Sequence, residues 1–189
     1  MFKVQNKNEF INNYGAGVRN FRQTILVAVN LTGSNLEQIN LNESNLVEIN
    51  WSNCNLSQAS FERAYLGLSN FQNCCLRSAN LRGANLEEAN LAQANLAQAN
   101  LRDANLRQAN LRGANLRGAN LENACLVGAI YDSATIFNSN FSPQAAGMIL
   151  TVSNISSSRT DSKSKENQGT IGKILSWCGS HKFNPQTPG

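Results

Sequence analysis

Residues 79–98 read Ala-Asn-Leu-Arg-Gly, Ala-Asn-Leu-Glu-Glu, Ala-Asn-Leu-Ala-Gln, Ala-Asn-Leu-Ala-Gln. The frame runs on unbroken to Leu121, and a Leu, Phe, Trp, Tyr or Ile falls at every fifth residue from Phe21 to Phe141. A fixed period of this kind is the signature of a repeat architecture.

A period of five fits neither regular element. In an α-helix every fifth side chain is offset by about 140°, so the leucines form no stripe. In a straight strand an odd period flips the leucine to the opposite face at each repeat. Asn before each Leu also disfavours helix, because its amide competes for backbone groups. The conflict disappears if the chain turns a corner once per repeat. Leu and the small residue two places before it then point inward each time. Right-angle corners close a square every four repeats, or about 20 residues.

The irregular positions support that number. Val29 and Ile49 replace the small residue, Trp51 and Phe71 replace Leu, and Cys54 and Cys74 replace Ala, each pair 20 residues apart. Residues stacked one coil apart would share such substitutions.

The motif resembles the pentapeptide-repeat family, whose pattern is A(N/D)LXX, over about Phe21 to Phe141. The lead-in Tyr14-Gly-Ala-Gly-Val-Arg-Asn-Phe21 and the ending after Phe141 resemble cyanobacterial members. The resemblance implies an all-β chain, a right-handed quadrilateral β-helix. About six coils at the inter-strand spacing of about 4.8 Å give a rod about 29 Å long. Expected core positions include Leu31, Trp51, Phe61, Phe71, Leu81, Leu91, Leu101, Leu111, Leu121 and Phe141.

A solenoid's ends need covering, since they expose apolar side chains and strand edges. Residues 1–20 are expected as an N-terminal cap, with a helix over about 7–15 stopped by Gly15 and Gly17, and 21–141 as the coil. Residues 142–150, opening with Pro143 in a first helical turn, are expected as a C-terminal capping helix. Residues 151–189 are expected as a disordered tail, poor in apolar groups up to Thr170. Ile171, Ile174, Leu175 and Trp177 form a short helical motif at 171–178 suited to partner binding.

The net charge of +4 comes from the ends. Residues 1–30 hold four basic side chains against one acid, and 142–189 hold five against two, each giving +3; 31–141 hold seven Arg against nine acids, giving −2. No apolar run approaches the ~20 residues that span a bilayer, and the first residues lack a signal-peptide centre. The chain is therefore expected to be soluble and cytoplasmic, with its five cysteines as thiols. Cys54 and Cys74 read as inward packing residues, and Cys75 and Cys125 as outward ones.

Catalytic chemistry is not expected. His181 is the only histidine, which removes most triads and acid–base pairs. No C-x-x-C pair suggests zinc, and no cofactor or metal site is expected. The leading function is a non-catalytic protein–protein interaction or regulatory scaffold. Its candidate surface comprises Arg82, Arg102, Arg107, Arg112, Arg117 and the outward Tyr65. In the coil these arginines scatter, with Glu62, Arg82, Arg102 and Glu122 following one another on one side. An alternative, drawn from family members that act on DNA gyrase, is a DNA mimic; the near-neutral coil meets that electrostatic need poorly. A third is weak nucleic-acid or membrane-surface binding through the basic tail. A protein partner is expected, nucleic acid and a membrane span are not, and the state is a monomer or an end-to-end dimer.

Overall fold

Each five-residue unit is a tight turn followed by one pairing residue. In a computed structural model, which describes residues 6–152, the N–H of Ala84 donates to the carbonyl of Leu81 at 3.1 Å, and Gly83 between them has φ +63. A positive φ at the third turn residue marks a type II turn. The turn recurs at nearly every corner, with the left-handed position held by Gly or by non-glycines such as Gln93, Gln98 and Asp103. Asn follows the turn and pairs with the coil above and below: Asn80 bridges Asn100 and Asn85 bridges Asn105, all in parallel. The 20-residue interval holds from Asn20↔Asn40 to Asn110↔Ile130.

Every N–H of the repeat has an acceptor, as a buried backbone requires. Leu81 donates to the carbonyl of Asn100 (2.8 Å), Gly83 to that of Arg102 (2.9 Å), and Asn100 back to that of Ala79 (2.9 Å). Ala84 closes the turn. The remaining N–H, on the residue after Leu, is taken by the preceding Asn side chain: Arg82 donates to Asn80 Oδ1 at 3.2 Å and Glu87 to Asn85 Oδ1 at 3.0 Å. The Asn amides also stack in ladders, with Asn100 Nδ2 donating to Asn80 Oδ1 at 3.3 Å and Asn110 Nδ2 to Asn90 Oδ1 at 3.1 Å. The need for Asn is thus a backbone need, met by a short side chain ending in both an acceptor and a donor.

The interior is continuous. Leu31, Trp51, Phe61, Phe71, Leu81, Leu91, Leu101 and Leu111 are fully buried, and alanines two places before a Leu, such as Ala79, Ala84 and Ala89, are buried with them. The wide coils hold an aromatic cluster: Trp51 stacks on Phe71 at 6.0 Å, and Phe61 meets both edge-on at 5.9 and 6.4 Å. Cys54 and Cys74 pack inward as small residues, donating to the carbonyls of Leu31 and Cys54. Burial pushes both thiols up, so they are inert as nucleophiles. Cys75 is also a free thiol.

At the N-terminal end, α1 spans Lys7–Gly15. Asn6 caps it by accepting the Glu9 N–H. Its close falls at Gly17 (φ +92), where the N–H groups of Gly17 and Val18 return to Tyr14 and Asn13, a Schellman geometry. Phe10 is buried against Phe21 at 4.8 Å, and the Tyr14 hydroxyl donates to the Glu37 carbonyl.

The C-terminal end departs from expectation in three ways. One extra residue enters after Tyr131, so Asn115 pairs with Ile136, 21 residues on. Ile136 therefore takes a pairing position and is half exposed, while Phe137 packs on the core in its stead. Second, Leu121 and Phe141 are only partly buried, because they lie on the last turns of the coil. Third, residues 142–150 form no helix. A single turn through Pro143 closes at Gly147 with the Met148 N–H on the Pro143 carbonyl. The strand β2 (Ile149–Leu150) then pairs in parallel with β1 (Ile130–Tyr131). One turn with a left-handed close is shorter than the helix that Pro143 announced. Of the tail expected over 151–189, residues 153–189, with the motif at Ile171, Ile174, Leu175 and Trp177, lie outside the described residues.

Candidate functional site

The four sides are numbered from Phe21, Leu26, Leu31 and Leu36 in turn. Arg82 and Arg102 lie on the first side, Arg107 on the second, Arg112 on the third and Arg117 on the fourth. The candidate arginines therefore form no single ridge.

On the first side they form a charge ladder. Arg82 approaches Glu62 (4.0 Å) and Asp103 (3.6 Å), and Arg102 approaches Asp103 and Glu122, both at 3.5 Å. Towards the N-terminal end Arg22 pairs with Glu43 at 2.8 Å. On the second side Arg107 approaches Glu87 at 3.8 Å. The Asn123 amide, aided by Arg102 and Arg82, holds the Asp103 carboxyl below its usual range. Gln23, then Arg22, does the same for Glu43. These are solvated pairs and contribute little individually. Arg112 turns back on its own repeat, donating from Nε to Asn110 Oδ1 at 3.2 Å. Arg117 and Arg77 flank a shallow, open depression of about 450 Å³ on the fourth side, with Ala97 between them.

Tyr65 stands elsewhere and in other company. It occupies an Asn position on the second side, as does Ile25 two coils earlier. Beside them Val27 and Val47 follow the inward Leu26 and Leu46, and Ala28 and Leu68 hold left-handed corner positions. Ile25, Val27 and Leu68 are 60%, 47% and 54% exposed. Among the described non-glycine residues at positive φ, Ala28 and Leu68 alone are apolar. In these three classes of position, polar around most of the coil, six of the nine residues on this side of the first three coils are apolar or aromatic, the exceptions being Asn45, Glu48 and Gly67. Of this group the linear pattern singles out only Tyr65. A signal for the rest exists, since Ile25 and Tyr65 break the Asn rule 40 residues apart, as Ala28 and Leu68 break the corner rule.

A family profile described as pentapeptide repeats matches eight copies over residues 34–73, 74–113 and 94–130, together 97 of the 189 residues. The chain belongs to the pentapeptide-repeat family. Membership implies the right-handed quadrilateral β-helix. Among solved structures it is similar to HetL, a pentapeptide-repeat protein involved in heterocyst differentiation regulation from the cyanobacterium Nostoc sp. strain PCC 7120. The two are 30% identical over 68% of this chain and 64% of that one, with a TM-score of 0.47. Less than two thirds of HetL's length is thus spanned. Rfr23 from the cyanobacterium Cyanothece 51142 is 32% identical over 68% of this chain and 99% of that one, also at 0.47. Full-length QnrB1, a plasmid-mediated fluoroquinolone resistance protein, is 12% identical over 85% of this chain and 99% of that one, at 0.31. No curated protein matches the sequence at a significant level. Among the described residues of this family member, no His, Cys, Asp and Glu group is arranged to hold a metal, and no helix is long and apolar enough to cross a membrane.

Proposed function

We propose that this pentapeptide-repeat chain is a non-catalytic interaction module, a regulatory scaffold of the cytoplasm that binds a protein partner on the outer sides of a rigid coil. The observation that carries the reading is the outward placement of Ile25, Val27 and Leu68 on one side of the first three coils, away from the last turns where the other exposed large apolar side chains, Ile136, Ile149, Leu150 and Val152, lie. About half of each side chain is left to solvent, and clustered exposed apolar groups serve association. The arginines are a secondary contact. Arg82, Arg102 and Arg107 already face acids of neighbouring coils, which leaves them little net field for a partner. The same neutralisation weighs against a DNA mimic, which requires a strongly negative surface.

The test is affinity capture from native cytoplasm with the full chain, with a truncation ending at Leu150, and with Arg102, Arg107 and Arg112 all replaced by alanine. A protein retained by all three supports the reading and assigns the arginines a minor part. Retention by none of them, even after chemical crosslinking, overturns it. Inhibition of gyrase supercoiling at micromolar chain would favour the mimic instead.

A further inference from the structure

We propose that the apolar second side of the first three coils is a seat for a cationic amphipathic α-helix of a partner protein; the proposal deepens the interaction reading above and rests on it. The seat is built from Ile25, Val27, Ala28, Val47, Tyr65 and Leu68. Val27 and Val47 lie one coil apart, while Ile25 and Tyr65, and Ala28 and Leu68, lie two coils apart with Asn45 and Glu48 between them, so the apolar groups recur along this side with polar ones interspersed.

Two features specify the occupant. The first is charge. At the corner where Ala28 and Leu68 stand, the intervening and following coils place Glu48 and Glu88. Among the described residues neither glutamate forms an ion pair, whereas Glu43, Glu62, Glu87 and Glu122 each approach an arginine. Two uncompensated carboxylates alternate with apolar groups on one edge, and their complement is a basic flank beside an apolar stripe.

The second feature is spacing. Coils recur at about 4.8 Å, the inter-strand distance. A helix lying along the rod presents side chains on one face about every 5.4 Å, a mismatch of about 1.2 Å over the two coil steps from Ile25 to Tyr65. A strand in the same place presents one face every ~6.6 Å and loses register at once. Apolar anchors at i, i+3 or i+4, and i+7 therefore meet three successive coils, and Lys or Arg beside the anchors meets Glu48 and Glu88. This is helix-on-surface recognition by periodic anchors.

The experiment selects from a displayed library of helical peptides, randomised between apolar, basic and acidic residues, on the immobilised full-length chain. Winners are then measured by fluorescence anisotropy on the wild type and on variants. The expected winners carry an apolar i, i+3/i+4, i+7 stripe flanked by Lys or Arg. They lose affinity by about tenfold or more on L68N, as for a central anchor, and weaken severalfold, in a salt-dependent manner, on E48Q/E88Q. L68N retains the fold, because Asn occupies the same corner position at Asn53 and Asn73; an unchanged circular dichroism spectrum verifies this.

Acidic winners, winners that bind L68N and wild type alike, or a selection that enriches nothing would each overturn the proposal. A wild-type dimer that L68N converts to a monomer also overturns it, assigning the stripe to a second copy of this chain. Peptides that bind equally to L68N yet lose affinity on R77A/R117A sink the seat while leaving the interaction reading intact. That reading falls only with the capture experiment.

Discussion

Asn42 and Ser60 share one oxygen. Ser60 takes a pairing position that Asn fills in most repeats, and its hydroxyl donates to Asn42 Oδ1 at 2.6 Å. The same oxygen accepts the Glu62 N–H at 2.9 Å. An Asn at position 60 would have taken that N–H itself, as Asn80 takes that of Arg82. Serine is too short, and a side chain from the coil before supplies the acceptor. N42A should therefore cost about 1–2 kcal/mol through the orphaned N–H. N42A/S60N should return to within about 0.5 kcal/mol of wild type, giving a coupling energy of at least about 1 kcal/mol in urea titrations. Additive effects would contradict this pairing of roles.

Leu91 lies in the most regular part of the coil and has no exposure. L91A should cost about 2–5 kcal/mol, transfer and cavity together. L91K adds an ammonium with no partner in a leucine–alanine interior and should cost several kcal/mol more, enough to leave the chain largely unfolded at 37 °C by circular dichroism. A melt within a few degrees of wild type would show that the interior yields far more readily than its packing implies.

Asp132 replaces a carbonyl that the one-residue insertion displaces. Its Oδ1 accepts the N–H of Gly113 at 2.9 Å and that of Ala134 at 3.0 Å. Burial pushes its carboxyl up, but the Gly113 N–H, the Thr135 hydroxyl and the Ala134 N–H outweigh this and hold it below the usual range. Glu43 and Asp103 are also held low. A carboxyl with a lowered folded pKa stabilises the fold above its unfolded pKa, and that contribution is lost as pH falls through the folded value. The melting temperature should be flat from pH 8 to about 5 and fall below about 4, the ordinary carboxylate range. D132N, which keeps an acceptor and removes the titration, should shallow that acid limb. An identical limb in D132N would remove Asp132 from the explanation.

Leu68 holds φ +59 at a corner and is 54% exposed. The preceding Gly67 has no positive φ, so the glycine and the left-handed position are out of step by one residue. Asn tolerates this conformation better than Leu. L68N should raise stability by about 0.5 kcal/mol, and L68G by a similar amount after its own entropic cost. A substitution that stabilises the coil while removing partner binding would identify Leu68 as kept for contact. A loss of about 1 kcal/mol or more in thermal melts would assign it a structural part instead.

The coil is legible in the sequence because its period is geometric. Matched exceptions such as Trp51 and Phe71 are enough to set the 20-residue turn. What hides is compensation. Asp132 at the insertion and Asn42 beside Ser60 act on backbone groups one coil away, and a linear frame pairs neither with its target. The frame itself slips at the insertion, so it assigns Ile136 to the inside where Phe137 goes. The second-side stripe hides for a related reason. Ile25, Val27, Val47 and Leu68 look ordinary along the chain and become neighbours only when the sequence is wound modulo 20. The arginines mislead in the opposite sense: adjacent in the chain, they are dispersed by the same winding onto four different sides.

Because a repeat is five residues and a coil twenty, sequence length here is an angle. Removing one whole repeat, such as 84–88, would leave each local turn and Asn bond reproducible, yet would rotate everything downstream by a quarter turn relative to what precedes it. The ladder of Arg102 and Glu122 would then continue a different side, and the stacked irregular residues would lose their partners. Removing twenty shortens the rod and keeps every column. A lineage of such coils is free to lengthen or shorten in whole turns, while smaller steps reshuffle which side chains a visitor meets.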